Sequence, residues 1–293
     1  MALHETTELV GVVCQPDRPA GRGMKLTPPA VKLAAEALGV PVYQPTKVRN
    51  GELEAWLRAR DVDLALVLAY GRILPEGVLA APRLGCINLH ASLLPAYRGA
   101  APIHWSVIQG EAVTGLSLMQ MDAGLDTGPV YLRRELSIGP DETSGELTER
   151  LAALAQALVR EALPQLIRGE LSAEPQDASL ATYAPPLTKE HQQLDFSLGA
   201  QAVHDWIRGL TPQPGARTRL GERGLKIARA RVMVGECPSG APGEVVIADK
   251  GGVVVACGQG HLSLVTAQLE GKKAGPATDL VNGRQLKVGD RLG

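Results

Sequence analysis

No stretch of the 293-residue chain approaches the roughly 20 consecutive apolar residues of a membrane span. The first residues, Met1 to Glu8, are polar where a secretory leader would carry an apolar run. A cytoplasmic protein with no membrane partner is the expectation. Cys14, Cys86, Cys237 and Cys257 stand far apart without any C-x-x-C pair, so neither a zinc cage nor a redox pair is suggested and all four read as small core residues. The six histidines include no H-E-x-x-H, which removes the commonest hydrolytic metal site, and no metal is expected. Internal repeats and low-complexity tracts are also missing, so a solenoid is set aside.

What is present is an ordinary globular composition, 45% apolar and 21% charged, in a chain long enough for two domains. The near-zero net charge hides an asymmetry. From residue 201 onward there are 13 Lys and Arg against 8 Asp and Glu, and the first 200 residues hold 17 against 23. A basic C-terminal part is compatible with a polyanionic partner, because counterion release favours Lys and Arg on phosphate, and equally with chance surface variation.

The first two thirds alternate short β-branched runs with longer amphipathic ones, the pattern of an α/β domain with a parallel sheet and crossover helices. Strands are predicted at 9–14, 64–68, 86–90, 116–121 and 130–136, and helices at 29–38, 51–60, 103–109 and 144–168. In the last helix Leu147, Leu151, Leu154 and Leu158 recur at helical spacing and should bury one face on the sheet, with Pro164 placed to kink or end it. Residues 171–187 turn to Ser, Pro, Ala and Gln and read as a linker. Beyond it come a helix at 201–210, a proline-marked turn at 211–215, and short strands at 225–234, 243–248, 252–256 and 262–269. That spacing suggests a small β-barrel of the oligonucleotide-binding kind. At the start, what looks like a helix end runs straight into a strand. The expected first strand is missing, so the natural product is expected to begin about 20 residues earlier, or the chain is a truncated piece.

Three segments carry chemistry. Asn88 and His90 lie two apart on a strand, so both side chains share one face near its C-terminal end, where open α/β sheets bind ligands. An amide beside an imidazole suits an oxyanion with proton transfer; the same pair also serves as satisfied structural groups. Asp122 and Asp126 follow the strand at 116–121 in a glycine-containing loop, either near the same sheet edge or simply as turn-forming aspartates. A single D-T-G in α/β surroundings does not make an aspartic protease. The Gly/Pro-rich loop at 15–26 holds Arg18, Arg22 and Lys25, which suits phosphate contact or a solvated connection.

Taken together, Asn88-x-His90 leading into Ser92-Leu93-Leu94-Pro95, then Asp122-x-Gly-x-Asp126-Thr-Gly, resemble the folate-dependent formyltransferase superfamily. The loop at 15–23, the run Arg98-Gly-Ala-Ala-Pro-Ile103 and Gln268-x-x-Gly-Lys272-Lys273 are similar to the members that act on methionyl-tRNA. The likeness spans nearly the whole chain except the start, where the family's first strand and Gly-Thr-Pro turn have no counterpart. It implies a Rossmann-like formyltransferase domain over 1–172, a linker over 173–190 and an OB-like, RNA-binding barrel over 191–293. It implies transfer of the formyl group of 10-formyltetrahydrofolate to methionyl initiator tRNA, by a monomer, with Asn88, His90 and Asp126 as the catalytic trio. Ala69, Tyr70, Gly71, Ile73 and Leu74, the Ser92 to Pro95 run and Asp122 are implied to hold the folate, and Arg18, Arg22, Lys25, Lys272 and Lys273 the RNA. The alternatives are a formyltransferase acting on a small amine, a formylfolate hydrolase, and a non-catalytic RNA-binding relative.

Overall fold

The computed structural model describes residues 2–20 and 23–293. In chain order they form α1 (Ala2–Thr6), β1 (Val12–Val13), β2 (Arg18–Ala20), β3 (Lys25–Thr27), α2 (Ala30–Ala37), β4 (Val42–Tyr43), α3 (Glu52–Arg58), β5 (Ala65–Val67), α4 (Glu76–Leu79) and β6 (Cys86–His90). Then follow β7 (Arg98–Gly99), α5 (Pro102–Ile108), β8 (Val113–Gln120), β9 (Val130–Ser137), α6 (Ser144–Ile167) and β10 (Tyr183–Ala184). The last part holds α7 (Ala200–Gly209), β11 (Ala216–Leu220), β12 (Arg223–Val232), β13 (Val245–Asp249), β14 (Gly252–Ala256), β15 (His261–Leu269), β16 (Gly275–Pro276) and α8 (Thr278–Asn282). No helix among the described residues is long and apolar enough to cross a membrane.

The chain divides into two compact units. One comprises 1–98, 115–135 and 152–182, and the other 99–114, 136–151 and 183–293. In the first, β5, β6, β8 and β9 form a four-stranded sheet in that order, and β1 pairs with β4 in a separate parallel pair. The parallel expectation holds for β1 with β4 and for β5 with β6, but β8 runs antiparallel to β6, with Asn88 opposite Met119 and His90 opposite Ser117. A parallel β8 would need the chain carried back along β6 before re-entering. The residues after His90 are instead used in a tight turn and the short α5, so β8 enters beside His90. β6 is covered on both faces, with Ile87 at 0% exposure and Cys86, Leu89 and His90 buried, which fixes it as an interior strand.

α6 opens on a capping box: the Glu146 N–H donates to the Thr143 hydroxyl at 3.2 Å, and the Thr143 N–H to the Glu146 carboxylate at 2.9 Å. Leu147, Leu151 and Leu158 are buried, with Val159, Ala162, Leu163 and Leu166 continuing the stripe, and Leu154 is half-buried. Pro164 does not end the helix, which runs on to Ile167.

In the second unit β11, β12, β15, β14 and β13 are ordered in one antiparallel sheet, with β16 added to β15. Its two outer strands are joined by the last residues of the chain. Leu292 bridges Leu220 at the end of β11 and Arg291 bridges Glu244 beside β13, so the chain end spans the gap between the two outer strands, in keeping with the barrel-like expectation. Gly243, at φ +86°, is needed there, since a Cβ would lie 2.2 Å from the Leu292 carbonyl oxygen. The interior is filled by Leu225, Ile227, Val253, Val255 and Leu262 together with Val203, Ile207 and Leu210 of α7. β11 and α8 were not foreseen in the sequence.

Candidate active site

Asn88 and His90 project from the same face of β6, as an i, i+2 pair must. β8 leaves the sheet at the opposite end of β6, where the Met121 N–H donates to the Cys86 carbonyl at 2.8 Å. The loop that follows therefore has to run back along β6, and it does. The Asn88 amide donates to Asp126 Oδ1 at 3.4 Å, and His90 Nδ1 lies 3.7 Å from Asp126 Oδ2. Asp126 holds a left-handed backbone, φ +53°, which turns its carboxylate inward while the rest of the loop stays exposed. An amide, an imidazole and a carboxylate thus converge on a mixed sheet, with His90 only 5% exposed and Asn88 half-buried.

The other nitrogen of His90 is committed. Nε2 sits 2.9 Å from the Tyr97 carbonyl oxygen, which can only accept, so Nε2 carries a proton and Nδ1 is the nitrogen left to exchange one beside Asp126. Tyr97 reaches that position because its own backbone is left-handed, φ +59°. The turn leading to it is fixed by Ser117, whose buried hydroxyl donates to the Ser92 carbonyl at 2.7 Å and accepts from the Leu94 N–H at 3.0 Å. The Ser92 hydroxyl donates to the Ala96 carbonyl at 2.6 Å. On the same strand, burial pushes the Cys86 thiol up to about 12, which removes it as a nucleophile.

The residues expected at a folate site divide. Ser92, Leu94 and Leu74 are buried, at 0%, 1% and 8% exposure, so they support the site from the interior and do not line its surface. Ile73 is 68% exposed, and Ala69 and Gly71 take left-handed backbones in the loop beyond β5, whose Val67 is the neighbour of Asn88. Tyr70 is half-buried, its carbonyl accepts from the Gln15 amide at 2.8 Å, and burial raises its phenol. Leu93 and Pro95 are half-buried. Asp122 is exposed and turned into its own loop, accepting from the Gly124 N–H at 3.0 Å and the Thr127 hydroxyl at 2.7 Å, so its side chain does not join the other three.

Of the basic residues, Arg18 and Lys25 are exposed on the paired strands β2 and β3, a more regular arrangement than the open loop expected, and Arg22 lies outside the described residues. Lys272 and Lys273 are exposed after β15. Sequence reasoning missed Tyr97, Ser117, Gln15 and Gln176. The Gln176 amide nitrogen donates to the carbonyls of Asp126 and Gly128 at 2.8 and 2.7 Å, from a stretch that reads as linker.

The pattern described as formyl transferase matches residues 2–163, and that described as formyl transferase, C-terminal domain, matches 186–285. The chain belongs to the formyl transferase family. It is 54% identical over 293 residues to a methionyl-tRNA formyltransferase of Sorangium cellulosum, covering all of this chain and 94% of that protein. It is 48% identical to the methionyl-tRNA formyltransferase of Geobacter metallireducens, over 99% of this chain and 93% of that one. Among solved structures, the sugar 3N-formyl transferase WlaRD, in the presence of dTDP and 5-N-formyl-THF, superposes with a TM-score of 0.65 at 15% identity, over 90% of this chain and 88% of that chain. At that identity the likeness speaks for the fold alone.

Proposed function

We propose that this formyl transferase moves the formyl group of 10-formyltetrahydrofolate onto the α-amino group of methionyl initiator tRNA. Identity of 54% and 48% over nearly the full length of two methionyl-tRNA formyltransferases supports the substrate pair. The observation that carries the chemistry is the approach of one carboxylate to both the Asn88 amide and the His90 imidazole.

The methionyl amine attacks the formyl carbon, the carbonyl electrons move to oxygen, and the tetrahedral adduct collapses with loss of N10. An amide carries two N–H groups; one from Asn88 goes to Asp126, and the second is the donor for the developing oxyanion. His90 takes the proton that the attacking amine loses, through Nδ1 since Nε2 is held by Tyr97, and delivers it to the departing N10. Asp126 orients this nitrogen. Its 3.7 Å separation exceeds hydrogen-bond length, the kind of loose contact that tightens when substrate closes the site. Since charge stabilisation falls to N–H donors and no protein nucleophile is used, the reaction needs neither a metal nor a covalent intermediate.

On this reading residues 1–172 are catalytic, 173–190 connect, and 191–293 track RNA, with the paired strands β2 and β3 on the acceptor stem. The protein acts as a cytoplasmic monomer. The test offers labelled formylfolate with charged initiator and elongator tRNAs in parallel. Label on the initiator alone supports the reading. Label on a free amine, or formate released without acceptor, contradicts it.

A further inference from the structure

Asp126 depends on a residue fifty positions further along the chain. After α6 the chain returns to the start of β9, where Glu174 and Val130 exchange both backbone hydrogen bonds, at 2.8 and 2.9 Å. In that antiparallel register residue 176 falls opposite residue 128. The Gln176 side chain is thereby delivered to the turn that carries Asp126. Its nitrogen donates to the carbonyls of Asp126 and Gly128, which flank Thr127, so both of its protons are used on one turn. Its oxygen accepts from the buried guanidinium of Arg98, at 3.2 Å from Nε and 2.7 Å from Nη2. Two carbonyls on one end and a cation on the other leave a single orientation for the carboxamide.

We propose that Gln176 is a positioning residue for Asp126, a clamp that holds the left-handed turn 126–128 so that the carboxylate stays on Asn88 and His90. A non-glycine residue at φ +53° is held against its own preference, and persists where its surroundings over-determine it. Gly128 leaves little slack on the far side, since a Cβ there would stand 2.0 Å from the Gln120 carbonyl oxygen. Arg98 adjoins Tyr97, whose carbonyl fixes His90 Nε2. One dipeptide therefore registers the imidazole directly and the carboxylate through Gln176. The inference rests on the formyl-transfer reading above.

The test is a cycle of variants of the full chain, assayed for kcat and KM with formylfolate and charged initiator tRNA. Gln176→Ala should lower kcat by about tenfold to a hundredfold, the scale of a misplaced catalytic group, with both KM values within about twofold of the parent. Gln176→Glu has the same length and keeps a partner for Arg98 but turns a carboxylate onto two carbonyls, so it should be no better than Ala. A residue that merely tied down its segment would be rescued by that change. In an Asp126→Ala background, Gln176→Ala should cost no more than about twofold further, because its effect runs through Asp126. Parent-like kcat in Gln176→Glu, or a further tenfold loss in the double variant, overturns the clamp. A parent that moves no formyl group contradicts the underlying reading, a result distinct from an active parent indifferent to Gln176.

Discussion

His90 Nδ1 faces Asp126 Oδ2 across 3.7 Å while His90 Nε2 rests 2.9 Å from the Tyr97 carbonyl oxygen. The ring is held at one nitrogen by backbone and presented at the other to a carboxylate. Under the proposed mechanism, proton traffic is thereby confined to the side that Asn88 shares. That mechanism gives Asn88 the donor to the oxyanion, His90 the mobile proton and Asp126 the orientation.

Asn88→Ala should remove one oxyanion donor and lower the formyl-transfer rate by about 10²–10³-fold, leaving the folate KM little changed. Steady-state kinetics with both substrates check this. A raised KM at parent kcat would make Asn88 a ground-state binding residue instead.

Much of this arrangement is legible in sequence, and the parts that are not share a cause. β6 reads as a strand from the short run carrying Cys86, Ile87 and Leu89, and the i, i+2 rule then puts Asn88 and His90 together. α6 is legible in its leucine spacing, and the barrel strands in their length and Gly-containing turns. The direction of β8 is hidden, because α5 between it and β6 looks like a crossover when seen only as letters. Gln176 is hidden too, in a Pro/Ser/Ala texture, since its partners are backbone carbonyls 48 and 50 residues away that have no side-chain signature. Tyr97 and Asp126 owe their roles to positive φ, which neither residue type advertises. β11 escapes because Arg217 and Arg219 occupy its outward positions, leaving too few apolar letters to mark a strand.

Acid should loosen the second unit in two steps. Burial pushes the His104 imidazole down, against the opposing hydrogen bond to the Gln213 carbonyl. Burial also works against the Asp205 charge, but the nearby His204 imidazole and hydrogen bonds from Gln201 and Arg208 outweigh it and hold that carboxyl below its ordinary value. In both cases the folded chain binds fewer protons than the unfolded one, so the stability is full above the unfolded pKa and is lost as pH falls through the lowered one. The His104 contribution should start to fade below about pH 6.5, and that of Asp205 below about pH 4. Melting temperatures across this range check it: His104→Gln should flatten the upper limb, and an unchanged slope would refute the assignment.

Gly209 lets α7 lie against α5, since a Cβ there would fall 2.5 Å from Ile108 Cγ1 and 3.1 Å from its backbone nitrogen. Gly209→Ala should cost about 1–3 kcal/mol, the usual penalty of overpacking. Urea titration should show a lower midpoint with the same slope.

Lys272 and Lys273 are exposed on the turn after β15. If each neutralises a phosphate, changing both to Ala should reduce the slope of log K against log salt for tRNA by about 2 and spare folate binding. Equal loss of folate and RNA affinity would place them elsewhere in the mechanism.

The measurement closest to the central claim is the single-turnover rate of formyl transfer to charged initiator tRNA in His90→Ala and Asp126→Ala, each confirmed folded by its melting temperature. A fall of at least about a hundredfold in both is the expected result. Turnover near that of the parent in either would remove that residue from the chemistry and leave the convergence on β6 without a catalytic meaning.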